Sequence, residues 1–402
     1  MKKLPKNIVY LGFVSFFTDF STEMIYPLIP AFLTGVLGVG AEILGIVEGV
    51  AEATASILKA ISGTLSDKFP RRKPLVILGY TLSALSKPFI GIASTWQHVL
   101  IARFSDRIGK GIRTSPRDAL ISDSISPEFR GRAFGFHRSM DTLGAVFGPL
   151  TAFVILAIFT PRLGISTTYR MIFILSIVPG LTAVAILTRV RESVRKKGTI
   201  DTKDFLKNYA MLPRGFWVFL GIMLIFSLGN SSDTFILLMV KERGISVKSI
   251  MLLYMLFNIV YSLVSTPAGI LSDRIGRKNT LLIAFLIYGI TYLSITRISS
   301  IAHVIIIFIL YGIFYGFYEG SSRAFVTDII GNSDLKGTAY GIYHMGIGLM
   351  LLPANFIAGV LWKSFNPETT FYFGGILAIL SFILLIGGAS WINPVRNYPK
   401  KS

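Results

Sequence analysis

Apolar residues in this chain gather into long stretches. They do not follow the period-two alternation or short amphipathic repeats of a soluble core. Each stretch of roughly 20 apolar residues is long enough to cross a hydrocarbon layer as a helix. The pattern predicts about twelve such helices, over 8–36, 42–65, 74–94, 97–122, 131–160, 168–190, 214–240, 247–271, 280–297, 301–330, 336–362 and 369–392. Short polar loops separate them, with one longer polar segment at 191–213. The first stretch follows a basic start, Met1-Lys2-Lys3-Leu4-Pro5-Lys6, and contains Asp19 and Glu23. It is too long for a signal-peptide core and reads as a retained span.

The polar interruptions repeat. Gly63-Thr64-Leu65-Ser66-Asp67 returns as Gly269-Ile270-Leu271-Ser272-Asp273, 206 positions later. The same offset relates Arg71 to Arg277, Arg117 to Arg323, Gly131 to Gly337 and Gly135 to Gly341, and Asp123 matches Asp328 after a one-residue slip. Unrelated hydrophobic helices do not keep one offset across several polar landmarks. The chain therefore reads as an all-α membrane protein of two pseudo-symmetric six-helix bundles, 1–190 and 214–402, joined by the linker 191–213.

Composition agrees with a membrane chain. Of 402 residues 52% are hydrophobic and 15% charged, and the mean hydropathy is +0.64. The formal charge of +19 would suggest nucleic acid in a soluble protein. Here Lys and Arg crowd into alternate loops: Lys68, Arg71, Arg72 and Lys73; Arg130 and Arg132; Arg274, Arg277 and Lys278; and the linker with Arg191, Arg195, Lys196 and Lys197. Lys241, Arg243 and Lys248 are exceptions. The bias places both termini and the linker in the cytoplasm, in a multi-pass protein of the cytoplasmic membrane, with no nucleic-acid partner. The absence of Cys removes thiol chemistry. No nucleophile–base pair, metal motif or cofactor fingerprint stands out, so neither an enzyme nor a bound cofactor is expected.

Three motifs resemble the major facilitator superfamily. The loop signature G-x-L-x-D-R-x-G-R-K matches fully at Gly269 to Lys278, with Asp273, Arg274 and Arg277 at its charged positions. The first-half copy, Gly63 to Arg72, carries Pro70 where the family has Gly. Arg103 followed by Arg130-Gly131-Arg132 fits the fourth-span pattern, with Asp123 where the family has an acid. Gly144-Ala145-Val146-Phe147-Gly148-Pro149 fits in part the fifth-span G-x-x-x-G-P of exporters and antiporters; Thr151 and Ala152 replace the usual glycines after it. The resemblance implies a monomeric transporter with one central cavity that rocks between two states, moving a small molecule or ion. Proton-coupled export is the leading expectation. Uptake by symport or uniport, and a non-transporting sensor or assembly factor on the same fold, are the alternatives.

Charged residues inside apolar spans must face protein or water. Asp19 and Glu23 lie one turn apart, as do Glu48 and Glu52; Arg138 and Asp141, Asp233, and Glu319 and Arg323 add to them. Arg103, Asp106, Arg107, Lys110, Arg113 and Arg117 recur at three- or four-residue spacing and form one helical stripe. Two readings fit the stripe: an anion-binding cavity wall, preferred for Arg103 and Arg107, or a buried network balanced by the acids. The string Gly109-Lys110-Gly111 lacks the G-x-x-x-x-G-K-[ST] spacing of a nucleotide loop. The four acids of the first two spans are the proton-coupling candidates, against a reading as permanent salt bridges. In the loops, Gly63 and Gly269 are expected to permit close helix approach, and Asp67 and Asp273 to cap helix ends. Arg71, Arg72 and Arg277 are expected to pair with Asp123 and Asp328 as a gate. His344 alone does not read as a metal ligand.

Overall fold

The computed structural model describes residues 4–68, 71–126, 130–192, 211–331 and 336–388, which form a bundle of helices. In chain order these are α1 (Lys6–Glu23), a 3-10 turn (Tyr26–Leu28), α2 (Ile29–Gly35), α3 (Ala41–Lys68), α4 (Lys73–Ser86), α5 (Pro88–Gly91), α6 (Trp96–Asp123), α7 (Arg130–Leu163), α8 (Ile165–Leu175) and α9 (Ile177–Leu187). The second half holds α10 (Arg214–Gly229), α11 (Asp233–Glu242), α12 (Val247–Ile275), α13 (Arg277–Ile295), α14 (Ile301–Ile330), α15 (Lys336–Ser364) and α16 (Pro367–Gly387). Among the described residues, nine helical stretches are long and apolar enough to cross a membrane. The segments α3, α4–α5 and α6 miss that standard: α3 and α6 carry the clustered charges named above, and α4–α5 contains Lys73 and Lys87.

Four of the apolar stretches are broken, and the breaks have local causes. Pro27 and Pro30 remove backbone donors after α1, leaving a 3-10 turn before α2. Lys87-Pro88 interrupts the next short pair, and Ser176 separates α8 from α9. Between α10 and α11 the chain leaves the helix at Asn230, and Ser232 restarts it by accepting from Thr234 N at 3.4 Å. This places Asp233 at a helix N-terminus, where a carboxylate is favoured.

The two halves meet chiefly through α3 on α15 and α7 on α12. A Cβ on Gly359 would sit 2.7 Å from Ala41 O, and one on Gly49 would sit 3.1 Å from Leu352 O. Only glycine permits such approach. Lys363 Nζ reaches Glu42 Oε1 at 2.7 Å, and Lys241 Nζ reaches Thr34 Oγ1 at 3.0 Å. Tyr26 Oη and Ser232 Oγ, related by the 206-residue repeat, touch at 3.1 Å. These contacts close the end of the molecule remote from the linker, here called the distal end.

At the linker end, glycines of these helices and of α14 stand clear. Nothing lies within 4 Å of a Cβ built on Gly135, Gly269, Gly320 or Gly341. This corrects the expectation of close helix approach at Gly269: in this state its face opens onto a cavity between the halves. Gly276, in the loop signature, has φ +90°, a conformation that favours glycine. Its first-half counterpart Pro70 lies outside the described residues, as do the side chains of Asp67 and Arg130 and the surroundings of Gly63 and Gly131.

Candidate functional site

The charged stripe of α6 divides into a buried part and a wet part. Arg103 donates to both oxygens of Glu48 on α3, at 3.1 and 2.7 Å, and the two side chains are 1% and 0% exposed. Its other amino group lies 3.7 Å from Asp106, which also accepts from Ser83 on α4. Arg107 pairs with Glu52 at 2.8 Å. Arg113 stacks on the Tyr80 ring at 4.3 Å, and Arg117 pairs with its neighbour Asp118 at 2.8 Å. Arg103 and Arg107 are therefore not cavity-facing, contrary to the sequence reading: bidentate and short ion pairs draw them onto α3, away from water. Lys110 is the exposed member of the stripe.

Glycine explains how α6 can bring these charges against α3 and α4. A Cβ on Gly109 would lie 2.5 Å from Gly79 O on α4, and one on Gly111 would lie 3.2 Å from Ala55 O on α3. The Gly109-Lys110-Gly111 string is a helix-packing device within α6.

Asp19 and Glu23 differ from Glu48 and Glu52: among the described residues neither has a cation within ion-pair distance, and Glu23 Oε2 is buried without a hydrogen-bond partner. They sit where α7 crosses α1. A Cβ on Gly144 would lie 2.9 Å from Phe20 N and 3.1 Å from Asp19 Cβ. One on Gly148 would lie 2.7 Å from Met24 N and 3.0 Å from Glu23 C. The G-x-x-x-G pair thus presses α7 onto the turn of α1 that bears both acids. Pro149 follows inside the same helix, buried.

One turn before these glycines, Asp141 accepts from Ser15 on α1 and lies 3.5 Å from His137 Nδ1. His137 is buried, with Nε2 unpartnered, and the sequence reading passed over it. Its signal was available: it stands four residues before Asp141, on the same helix face. Arg138 is drawn two ways, 4.0 Å from Asp141 in its own half and 3.4 Å from Glu319 across the interface. Glu319 also accepts from Arg323 at 2.6 Å and from Tyr261, whose hydroxyl in turn accepts from Arg138. Residues Arg138, Tyr261, Ser265, Gly269, Glu319 and Arg323 help line a cavity of ≈ 250 Å³.

The second half contributes aromatic rings. Asp233 accepts from Tyr311 at 2.6 Å and Tyr315 at 3.1 Å, and Phe257 packs on both at ring separations of 5.4 and 5.5 Å. Their spacing on α12 and α14 resembles ordinary apolar packing, so no pattern in the sequence marks them as a site. His344 packs against Tyr340 and Tyr343. Among the described residues no group of three or more His, Asp or Glu could hold a metal.

In the loops at the linker end the described arginines pair within their own half. Arg72 Nη1 binds Asp123 at 2.9 Å, while Arg71 is exposed and lines an outer groove. Arg277 pairs with Asp273 and lies 3.8 Å from Asp328. Arg274 is exposed.

Comparison with known proteins agrees with this architecture. The chain is 38% identical over 392 residues to an uncharacterised MFS-type transporter of Methanocaldococcus jannaschii, covering 96% of this chain and 95% of that one. It is 22% identical over 398 residues to the multidrug resistance protein MdtH of Salmonella newport, covering 95% and 92%. The crystal structure of the nucleoside transporter NupG shares the fold, with a TM-score of 0.73 at 14% identity, over 98% of this chain and 100% of that one. The Major Facilitator Superfamily profile matches residues 11–246 and 218–402, and the chain is thus a membrane transporter protein of the major facilitator superfamily.

Proposed function

We propose that this chain exports a small solute across the cytoplasmic membrane in exchange for protons, by alternating access. The observation that carries the reading is the seating of Gly144 and Gly148 on the turn of α1 that holds Asp19 and Glu23. Helices in such close contact cannot slide without changing the surroundings of those carboxylates. A carboxylate without a cation partner, moved between wet and dry surroundings, changes its proton affinity, and linkage then ties proton movement to the conformational change. Glu48 and Glu52, held by Arg103 and Arg107, are better suited to ordering the bundle. The 22% identical MdtH relative accords with export.

In the same reading α3, α4–α5 and α6 also cross the bilayer, completing twelve spans, because their charges are satisfied within the protein. The linker end is cytoplasmic. The signature loops, with Asp67, Asp123, Asp273, Arg277 and Asp328, act as the gate there. The transporter works as a monomer in the lipid bilayer.

The test is proton movement in proteoliposomes loaded with a pH-sensitive dye, challenged with a panel of organic anions, lipophilic cations and neutral solutes. At least one solute is expected to drive a proton flux that Asp19→Asn or Glu23→Gln removes. Solute flux that ignores an imposed pH gradient would sink the coupling, and a carrier without it would take the place of the antiporter.

A further inference from the structure

The cavity between the halves bears on the class of solute. Arg138 on α7 and Arg323 on α14 line it together with Glu319, and Lys59 on α3 and Lys110 on α6 lie within electrostatic reach of that carboxylate. By helix rise they lie about 10–20 Å in from the linker ends of their helices. Arg138 and Arg323 are 53% and 45% exposed although both belong to spanning helices, so water reaches them from the cavity. Glu319 is within electrostatic reach of all four. Arg138 approaches it at 3.4 Å and Arg323 at 2.6 Å.

The other acids nearby have partners of their own. Glu52 is held by Arg107 and Asp118 by Arg117. Asp141 takes Ser15, faces His137 and lies 4.0 Å from Arg138, the longer of that arginine's two ion pairs. Glu52 and Asp19 act on Lys110 electrostatically without an ion pair to it. Among the described residues, Lys59 and Lys110 have no hydrogen bond or ion pair through their ammonium groups, and Lys59 stands within reach of Arg323 and Lys110. Glu319 is the carboxylate that shares the cavity wall with Arg138 and Arg323, and with Lys59 and Lys110 near them these like charges repel one another. A second anion would relieve that repulsion. The two guanidinium groups are suited to it, since their planar forks match carboxylate and phosphate oxygens.

We infer that this cavity takes a small anionic solute, bearing a carboxylate, phosphate or sulfate group, and that Glu319 competes with it for Arg138 and Arg323. The inference rests on the transporter reading for the role of the cavity, and it holds for either direction of transport. The volume of ≈ 250 Å³ lies just under the usual range of about 300–1,000 Å³ for ligand pockets, which points to a small acid or phosphate ester.

Competition gives the inference a sign that a cationic solute cannot share. If Glu319 is the rival of an anion, removing its charge tightens anion binding. If Glu319 is instead the ligand for a cation, removing its charge weakens binding. The experiment measures thermal stabilisation of the purified full-length protein at constant ionic strength. Sodium succinate, citrate, phosphate, sulfate and glucose 6-phosphate are titrated, with tetraphenylphosphonium chloride as the cationic probe. At least one anion is expected to raise the melting midpoint saturably, as mass action requires of a specific ligand. Arg323→Gln and Arg138→Gln should each raise its apparent Kd by about tenfold or more, Arg323→Lys should recover part of the loss, and Glu319→Gln should lower the Kd. Unliganded midpoints and gel-filtration profiles separate lost binding from lost folding. Saturable stabilisation by tetraphenylphosphonium that Glu319→Gln abolishes overturns the inference. So does the absence of any anion response that depends on Arg323. An anion that binds in this way yet is not carried into proteoliposomes leaves the inference standing and defeats the transport reading.

Discussion

Glu48 and Arg103 face each other inside the first half with almost no access to water. Bringing two charges there is costly, and leaving one of them alone is worse. Glu48→Gln should therefore destabilise the protein by about 3–5 kcal/mol, seen as a lower midpoint of unfolding in detergent. The double variant Glu48→Leu, Arg103→Met should regain most of that loss, since no charge remains unpaired. A Glu48→Gln protein as stable as the unmodified one would make the pair dispensable and return Glu48 to the proton-coupling candidates. Asp19 and Glu23 behave differently in the proposed scheme. Asp19→Asn and Glu23→Gln should leave folding intact and abolish pH-driven transport while sparing exchange of solute. The spacing of these residues is legible in the sequence: it marks each of these charges as an interruption of an apolar stretch and predicts the stripe. It does not reveal which charges are satisfied, because a helix position fixes a direction and not a partner. Arg103 and Lys110 look alike in the sequence, yet one is locked on Glu48 and the other faces water.

At the scale of helices, hydrophobic length predicts nearly every boundary to within a few residues, while the interruptions in spans 1, 3, 6 and 7 are missed. Pro27 and Pro30 carry a signal for the first of these, and Pro88 for another; Ser176 and Asn230 are placed by tertiary contacts. Ser176 O accepts from Ser21 Oγ at 2.7 Å, and the restart at Ser232 is fixed by Asn355 Oδ1 at 2.7 Å from Ser232 N. The glycines of α7 are where sequence motif and packing meet. Gly148→Val places branched carbon against Met24 N, which a Cβ alone would approach to 2.7 Å. The two helices must then part, and backbone cannot yield as a flexible side chain does. Transport is expected to fall by about tenfold or more, with the protein still inserted. Gly135→Val, at a position open to 4 Å, should be mild in the same assay. Equal effects at both positions would mean that the motif's close contact carries no special role.

Over the whole molecule, the distal end is sealed by pairs that span the halves, whereas the loop arginines at the linker end pair within each half and Arg138 reaches across to Glu319 deeper in the cavity. The division into two bundles is legible in the 206-residue repeat, and the touch of Tyr26 on Ser232 places that repeat at the axis. Which end is closed is not legible, because a sequence encodes both states of a rocking protein and the balance between them rests on small differences in contact energy. If alternating access is the mechanism, the distal seal must open in every cycle. Glu42 and Lys363 bridge it at 2.7 Å on the surface of the interface, and the chain has no cysteine of its own. The double variant Glu42→Cys, Lys363→Cys loses one exposed ion pair, worth little by itself, and should transport normally when reduced. A short reducible thiosulfonate cross-linker should then halt transport, and dithiothreitol should restore it. Either single variant should be indifferent to the reagent. Orientation can be read from the same approach. Ser94→Cys, in the distal loop between α5 and α6, should react with an impermeant maleimide applied to intact cells, whereas Ser193→Cys should react only after permeabilisation, if the basic linker lies inside. Full transport by the cross-linked protein would show that the distal end stays shut throughout the cycle. A substrate path between the two halves would then be excluded, and with it the rocking mechanism.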